Sequence, residues 1–203
     1  LAITIAYTAL GGMRATMWTN VFQGATFMVF ILVAFFVIAD DLGGLAAATA
    51  AVAQTAPQLL VKGDSPQFQP GHWGSWALAI SLTVIAFPHM FVRLFAAKDT
   101  AALKQIARFY PLALVLLWVP AVMFGVWGAA EFPGLVGRQS DAIFPMLIAS
   151  HLGPLLQGLA LAGVLAAVMS TLDAQLLTLS SMLTRDVLRR LRPGLAQATE
   201  VSA

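Results

Sequence analysis

The sequence predicts an all-α membrane protein, and three observations lead there. Apolar residues make up 60% of the 203 and charged ones only 10%, more greasy surface than a water-soluble core could hide. The charges are spaced far apart, leaving uncharged runs long enough to cross a bilayer. Gly and Pro punctuate those runs at their ends or at single points inside them. Eleven Lys and Arg against nine Asp and Glu give a net charge of +2; no basic run suits nucleic acid, so the expected partner is the lipid bilayer. There is no Cys and the three His are scattered, so no thiolate or histidine-cluster metal centre is expected. Phosphate-binding glycine loops, paired loop carboxylates and a nucleophile elbow are missing as well, which argues against an enzyme and against a bound organic cofactor.

Taken in order, Leu1–Leu10 reads as the cut end of a helix, because the chain opens inside an apolar run with no initiator Met, basic n-region or cleavage site,. Gly11-Gly12 before Arg14 reads as a tight turn and Trp18 as an interfacial anchor,. No charge lies between Arg14 and Asp40. Within that stretch Val21–Ile38 is 18 residues, about 27 Å as a helix. Twelve of them are Leu, Ile, Phe or Val, and at about −0.4 kcal/mol each they favour insertion by roughly 5 kcal/mol. The first full span is therefore 20–39. Residues 42–61 are uncharged but rich in Ala and Thr, with Gln54, Pro57 and Gln58, and read as an outer loop helix on the surface. Further spans are expected at 75–93 and 109–130. The last apolar run, Ile143 to Leu183, is too long for one span. Pro145 and Gly153-Pro154 break it, so that Ile143–Leu152 lies near the outer surface and the span runs over 154–183 with Pro154 in its first turn. That makes about four full transmembrane helices plus one truncated, followed by a tail at 184–203. Nine Lys and Arg, including Arg14, Arg93 and the tract Arg185–Arg192, fall on one side against Lys62 and Arg138 on the other. The positive-inside rule makes the tail cytoplasmic and puts Asp40, Asp41 and Asp64 outside.

Candidate chemistry sits at three places. Ala167, Ser170 and Thr171 stand at i, i+3 and i+4, so one face of the last span carries a small residue and two hydroxyls deep in the membrane,. A hard cation such as sodium wants oxygen ligands, and two hydroxyls with a freed carbonyl could supply part of a shell. The alternative is that the hydroxyls bond back to the preceding turn and let helices approach closely. Asp173 is the one ionisable group inside this span. It is either functional, since an intramembrane carboxylate needs water, protein or a cation beside it, or a solvated residue of a cytoplasmic vestibule. Gln175, Thr178 and Ser181 continue a polar stripe that fits helix packing or a wet cavity,. At Phe87-Pro88-His89, Pro88 removes a backbone bond and kinks the span, which either frees a carbonyl for ligands or is a neutral bend. His89 is a proton carrier or substrate contact in one reading, and a histidine satisfied by its neighbours in the other.

Three blocks then resemble the sodium:solute symporter family. They are Ala6–Ala15 followed by Trp18–Gln23, Phe87-Pro88-His89 through Arg93 to Ala96-Ala97-Lys98, and Ala166–Thr171 through Gln175-Leu176-Leu177 to Ser180-Ser181. The resemblance implies a partial inverted-repeat transporter fold of five plus five helices, this chain holding the end of the fourth core helix through the eighth. It also implies that Ala167, Ser170 and Thr171 are sodium ligands whose partners lie on an absent first helix, so that this chain alone leaves the site incomplete. Many members carry Asp where this chain has Asn20, which implies that a charged step in sodium entry or release is missing or moved, with Asp173 a candidate. The proline transporters carry aromatic residues at the positions of Ile80 and Val84, which argues against proline, and the Phe-Pro-His form resembles the monocarboxylate-type branch.

The function expected is sodium-coupled symport of a small organic solute across a bacterial-type inner membrane, with the sodium ion and the solute as partners. Two alternatives differ in class. A solute-sensing membrane domain would be joined to a histidine-kinase module, and a scaffold of packed helices would tolerate loss of Ser170 and Thr171.

Overall fold

The computed structural model describes residues 2–63 and 66–191, and among them every regular element is helical. The helices are α1 (Ala2–Asp41), α2 (Leu45–Thr55), α3 (Pro70–Ala86), α4 (Pro88–Phe95), α5 (Thr100–Glu131), α6 (Ile143–His151) and α7 (Pro154–Met182). From Leu10 onward α1, and α5 and α7 entire, are each long and apolar enough to cross a membrane, and α3 with α4 makes a fourth such unit bent by 57°.

Each boundary has a local cause. Inside α1 the break falls on Gly12 alone, at φ 53° and ψ −149°, a backbone region that only glycine enters cheaply. Helix therefore runs on both sides of it, where the sequence suggested a tight turn. At the other end of α1 two more left-handed glycines, Gly43 (φ 86°) and Gly44 (φ 96°), stop the helix, and Gly44 N–H caps the Ala39 carbonyl at 2.7 Å,. The 11 residues of α2 reach about 16 Å, too short to span. Asp99 caps α5 by accepting from Ala102 N–H at 2.8 Å,. That start lies before the apolar run at 109, because the first turns carry Lys104 and Arg108 and a hydropathy window ignores them. Gly153 caps α7 and Pro154 takes its first helical position,. Beyond Met182 the chain continues as a wide π-type turn over Leu183–Leu188 and a last turn at Arg189–Leu191. Most of the predicted tail, from 192 on, lies outside the described residues, as does Asp64.

The core gathers at one end of the bundle. Ile31, Ala34, Phe35 and Ile38 of α1 pack with Ala48 and Val52 of α2, Phe124 and Trp127 of α5, and Leu147 and Ile148 of α6. Phe35 stacks on Trp127 with centroids 5.3 Å apart, a contact that adds about 0.5–1.5 kcal/mol to its burial. α5 and α6 meet at Gly128, where a Cβ would come within 2.2 Å of Ile143 Cγ2 and 3.1 Å of Leu147 Cδ1. Gly128→Ala is accordingly expected to lower stability by about 1–3 kcal/mol, read as a lower thermal midpoint in detergent; an unchanged midpoint would show that Ile143 simply turns aside. Elsewhere the apolar surface faces outward: Trp73, Trp76, Leu78 and Ile80 of α3 are each more than half exposed, as lipid-facing or helix-facing side chains of a membrane protein are.

Candidate functional site

The site is built where α1 and α7 lie side by side. Gly163 of α7 abuts Phe30 and Phe27 of α1, while Thr16 of α1 shares a small cavity with Ala174, Leu177 and Thr178 of α7. These contacts fix an antiparallel register, and that register puts Asn20 level with the turn carrying Ser170 and Thr171. Ala167 and Ser170 are half-buried and Thr171 is exposed. Thr171 Oγ1 donates to the Ala167 carbonyl at 3.3 Å, a long bond that leaves lone pairs on both oxygens. Back-bonding of this kind was the packing alternative for the pair, and it coexists here with an accessible oxygen edge. One helix turn supplies fewer oxygens than a hard cation takes, so any shell must be completed from other elements.

Opposite that turn, α1 offers polar atoms. Both amide atoms of Asn20 and Oε1 of Gln23 are shut off from solvent with no hydrogen-bond partner among the described residues. Thr19 and Gln23 line an open groove of about 530 Å³ with Trp18, Phe22, Ala162, Leu165, Ala166 and Met169. Buried amides without partners are costly, and their placement between the two spans marks a place for water or a polar ligand.

The break at Pro88 is sharp. Phe87 is extended (φ −63°, ψ 123°), α3 ends before it and Pro88 opens α4. Proline has no N–H to give the Val84 carbonyl, and Met90 N–H goes to the Phe87 carbonyl at 3.0 Å instead of reaching back to Ala86,. The side chain of Val84 lies outside the described residues. His89 is half-buried, its ring 5.5 Å from that of Phe87. It lines the same small cavity as Thr16, Arg93 and Thr178. His89 thus belongs with the Asp173 end of α7, one to two turns past Ser170. Asp173 itself has no exposed surface, so it is not the solvated vestibule residue that the sequence left open.

A family model described as the sodium:solute symporter family matches residues 1–202. The chain belongs to that family. Among its relatives, the sodium/pantothenate symporter of Haemophilus influenzae is 29% identical over 198 residues, covering 97% of this chain and 40% of that protein. The sodium/pantothenate symporter of Escherichia coli is 30% identical over 197 residues, with 96% and 40% covered. The sodium/proline symporter of Haemophilus influenzae is 34% identical over 198 residues, with 91% and 38% covered. This symporter-family chain therefore spans about two fifths of the length of the curated relatives it matches. No solved structure matches it. The partial, all-helical transporter fold and an integral membrane location accord with both the family and the apolar helices.

Two features escaped the sequence reading. His151, at the end of α6, bridges the ends of α1 and α5: Nδ1 meets Asp41 and Nε2 lies 2.8 Å from Glu131 Oε2. Burial pulls its pKa down, but hydrogen bonds and charge from the two carboxylates together raise it above the ordinary histidine value,. The signal was present, since Asp41, Glu131 and His151 end three apolar helices on one predicted side. The other is Arg93 of α4, on a helix that packs against α7, with its Nη2 shut off from solvent.

Proposed function

We propose that the protein containing this chain is a sodium-coupled symporter for a small organic solute bearing a carboxylate, seated in a bacterial-type plasma membrane with the Arg185–Arg192 tract on the cytoplasmic face. The observation that carries this reading is the family match over residues 1–202. Pantothenate and proline, the solutes in the relatives' names, both carry a carboxylate, and the positive N-terminal end of α4 at the Pro88 break would favour such a group nearby,. Absence of aromatic side chains at Ile80 and Val84 argues against proline, and the Phe87-Pro88-His89 form would favour a monocarboxylate. Ala167, Ser170 and Thr171 would hold sodium, Pro88 and His89 would border the solute, and Asn20 would lie on the ion's way in or out. Sodium, moving down its gradient, supplies the driving force.

The test is uptake by the whole protein in liposomes, with pantothenate, pyruvate and proline as labelled solutes. An inward sodium gradient should drive accumulation of a monocarboxylate, an equal potassium gradient should not, and the 203-residue chain alone should accumulate nothing. Accumulation indifferent to sodium, or none with any solute, would overturn the proposal.

A further inference from the structure

Asp41, Glu131 and His151 are the last residues of α1, α5 and α6, and the imidazole joins all three helix ends. Its Nδ1 is bonded to a carboxylate oxygen of Asp41 and its Nε2 to Oε2 of Glu131. An ionised carboxylate only accepts, so a ring bonded through both nitrogens needs a proton on each, and the arrangement is that of an imidazolium. Burial works against that charge, but the two carboxylates outweigh it and raise the pKa of the ring,. Loss of the proton leaves one N–H, and the other nitrogen then turns a lone pair toward a carboxylate oxygen. One of the two bonds must go. Glu131 is the less hydrated partner and Asp41 the more exposed, so leaving Glu131 unpaired costs more, and Asp41 is the one released.

No neighbouring charge replaces the lost bond. Against α6, α1 brings Asp40 besides Asp41, the turn Gly137–Ala142 brings Arg138 and Asp141, α5 has only Glu131 after Arg108, and α7 has no charge before Asp173. Among the described residues only Asp41 and Glu131 bond the ring. The rest of α6 is held by contacts that no proton alters. Leu147 and Ile148 are buried in the core, and the Gln157 amide of α7 donates to the carbonyls of Ala149 and Leu152. Asp41, by contrast, stands two residues before the left-handed Gly43 and Gly44, the elbow through which α1 passes to α2. We propose that His151 is a proton-operated clasp: protonated, it ties the end of α1 to α6 and shuts that corner of the bundle; neutral, it keeps Glu131, releases Asp41 and lets the α1–α2 elbow swing out. The clasp stands whether or not the symport reading does, and it lets the whole protein answer to pH on the face that carries Asp41.

The test is hydrogen exchange of the whole protein in nanodiscs, read by mass spectrometry, with each rate divided by the chemical exchange rate at the same pH. The reporter is the end of α1, where Leu42 N–H bonds the Ile38 carbonyl and Gly44 N–H that of Ala39. Between pH 5.5 and pH 9 its protection should fall by about threefold or more, a modest step because the released partner is exposed, while the core stretch Phe124–Gly128 of α5 changes less. His151→Gln, which cannot titrate, should abolish the step. Asp41→Asn should flatten it too, because an amide can turn to donate to the bare ring nitrogen, and this exposed change reports even if His151→Gln does not fold. Equal protection at the two pH values, a step that survives either variant, or an equal loss along Phe124–Gly128 would overturn the clasp.

Discussion

Replacing Ser170 and Thr171 together by Ala in the whole protein should raise the sodium concentration for half-maximal uptake by well over tenfold. Each hydroxyl lost from a cation costs about 1.5–3 kcal/mol, and 1.4 kcal/mol is a factor of ten. Alanine favours helix, and Thr171 gives up only a 3.3 Å bond to its own preceding turn, so the fold itself should survive. Solute affinity at saturating sodium should change far less than the sodium requirement. Thr171→Ser, which keeps the oxygen, should recover most of the loss when made alone. Unchanged sodium dependence in the double variant would reduce the pair to helix packing.

The second large effect concerns His151. With 10% of its side chain exposed it bonds Glu131, itself 28% exposed, and Asp41, 58% exposed. The Glu131 bond carries most of the value, about 1.5–3 kcal/mol for a charge-assisted bond. The Asp41 bond adds little because water screens it. The folded protein raises the histidine pKa, so the stabilisation is complete below the unfolded value near 6.5 and is lost as pH rises through the higher folded value. His151→Ala should thus lower the thermal midpoint most at pH 5.5 and distinctly less at pH 9, where a neutral ring keeps one donor. A gap of equal size at both pH values would assign the residue to packing alone.

Much of the architecture was legible because lipid imposes a length rule. Val21–Ile38 and its counterparts could be counted, and Gly153-Pro154 carries its own start signal. Helix ends were harder: α5 begins at Thr100 because Asp99 caps it, a local bond that outweighs the polarity of Lys104 and Arg108. For the site, the shared face of Ala167, Ser170 and Thr171 follows from helical spacing, whereas the burial of Asp173 does not. Arg93 is remote from it in sequence, and only the fold brings their helices, α4 and α7, together. The same holds for His151, whose carboxylates arrive from two other helices.

The lopsided placement of the large buried side chains has a mechanical consequence. Phe35, Trp127 and Leu147, together with the histidine clasp, staple the helices at the Asp41 end, while toward the Arg14 end Met13, Thr16 and Met17 of α1 face Ala174, Leu177 and Thr178 of α7 across a one-water void. A bundle fastened that way behaves like tongs with a stiff rivet. Splaying the far tips spares the large aromatic contacts, and the rivet sets the arc through which they swing.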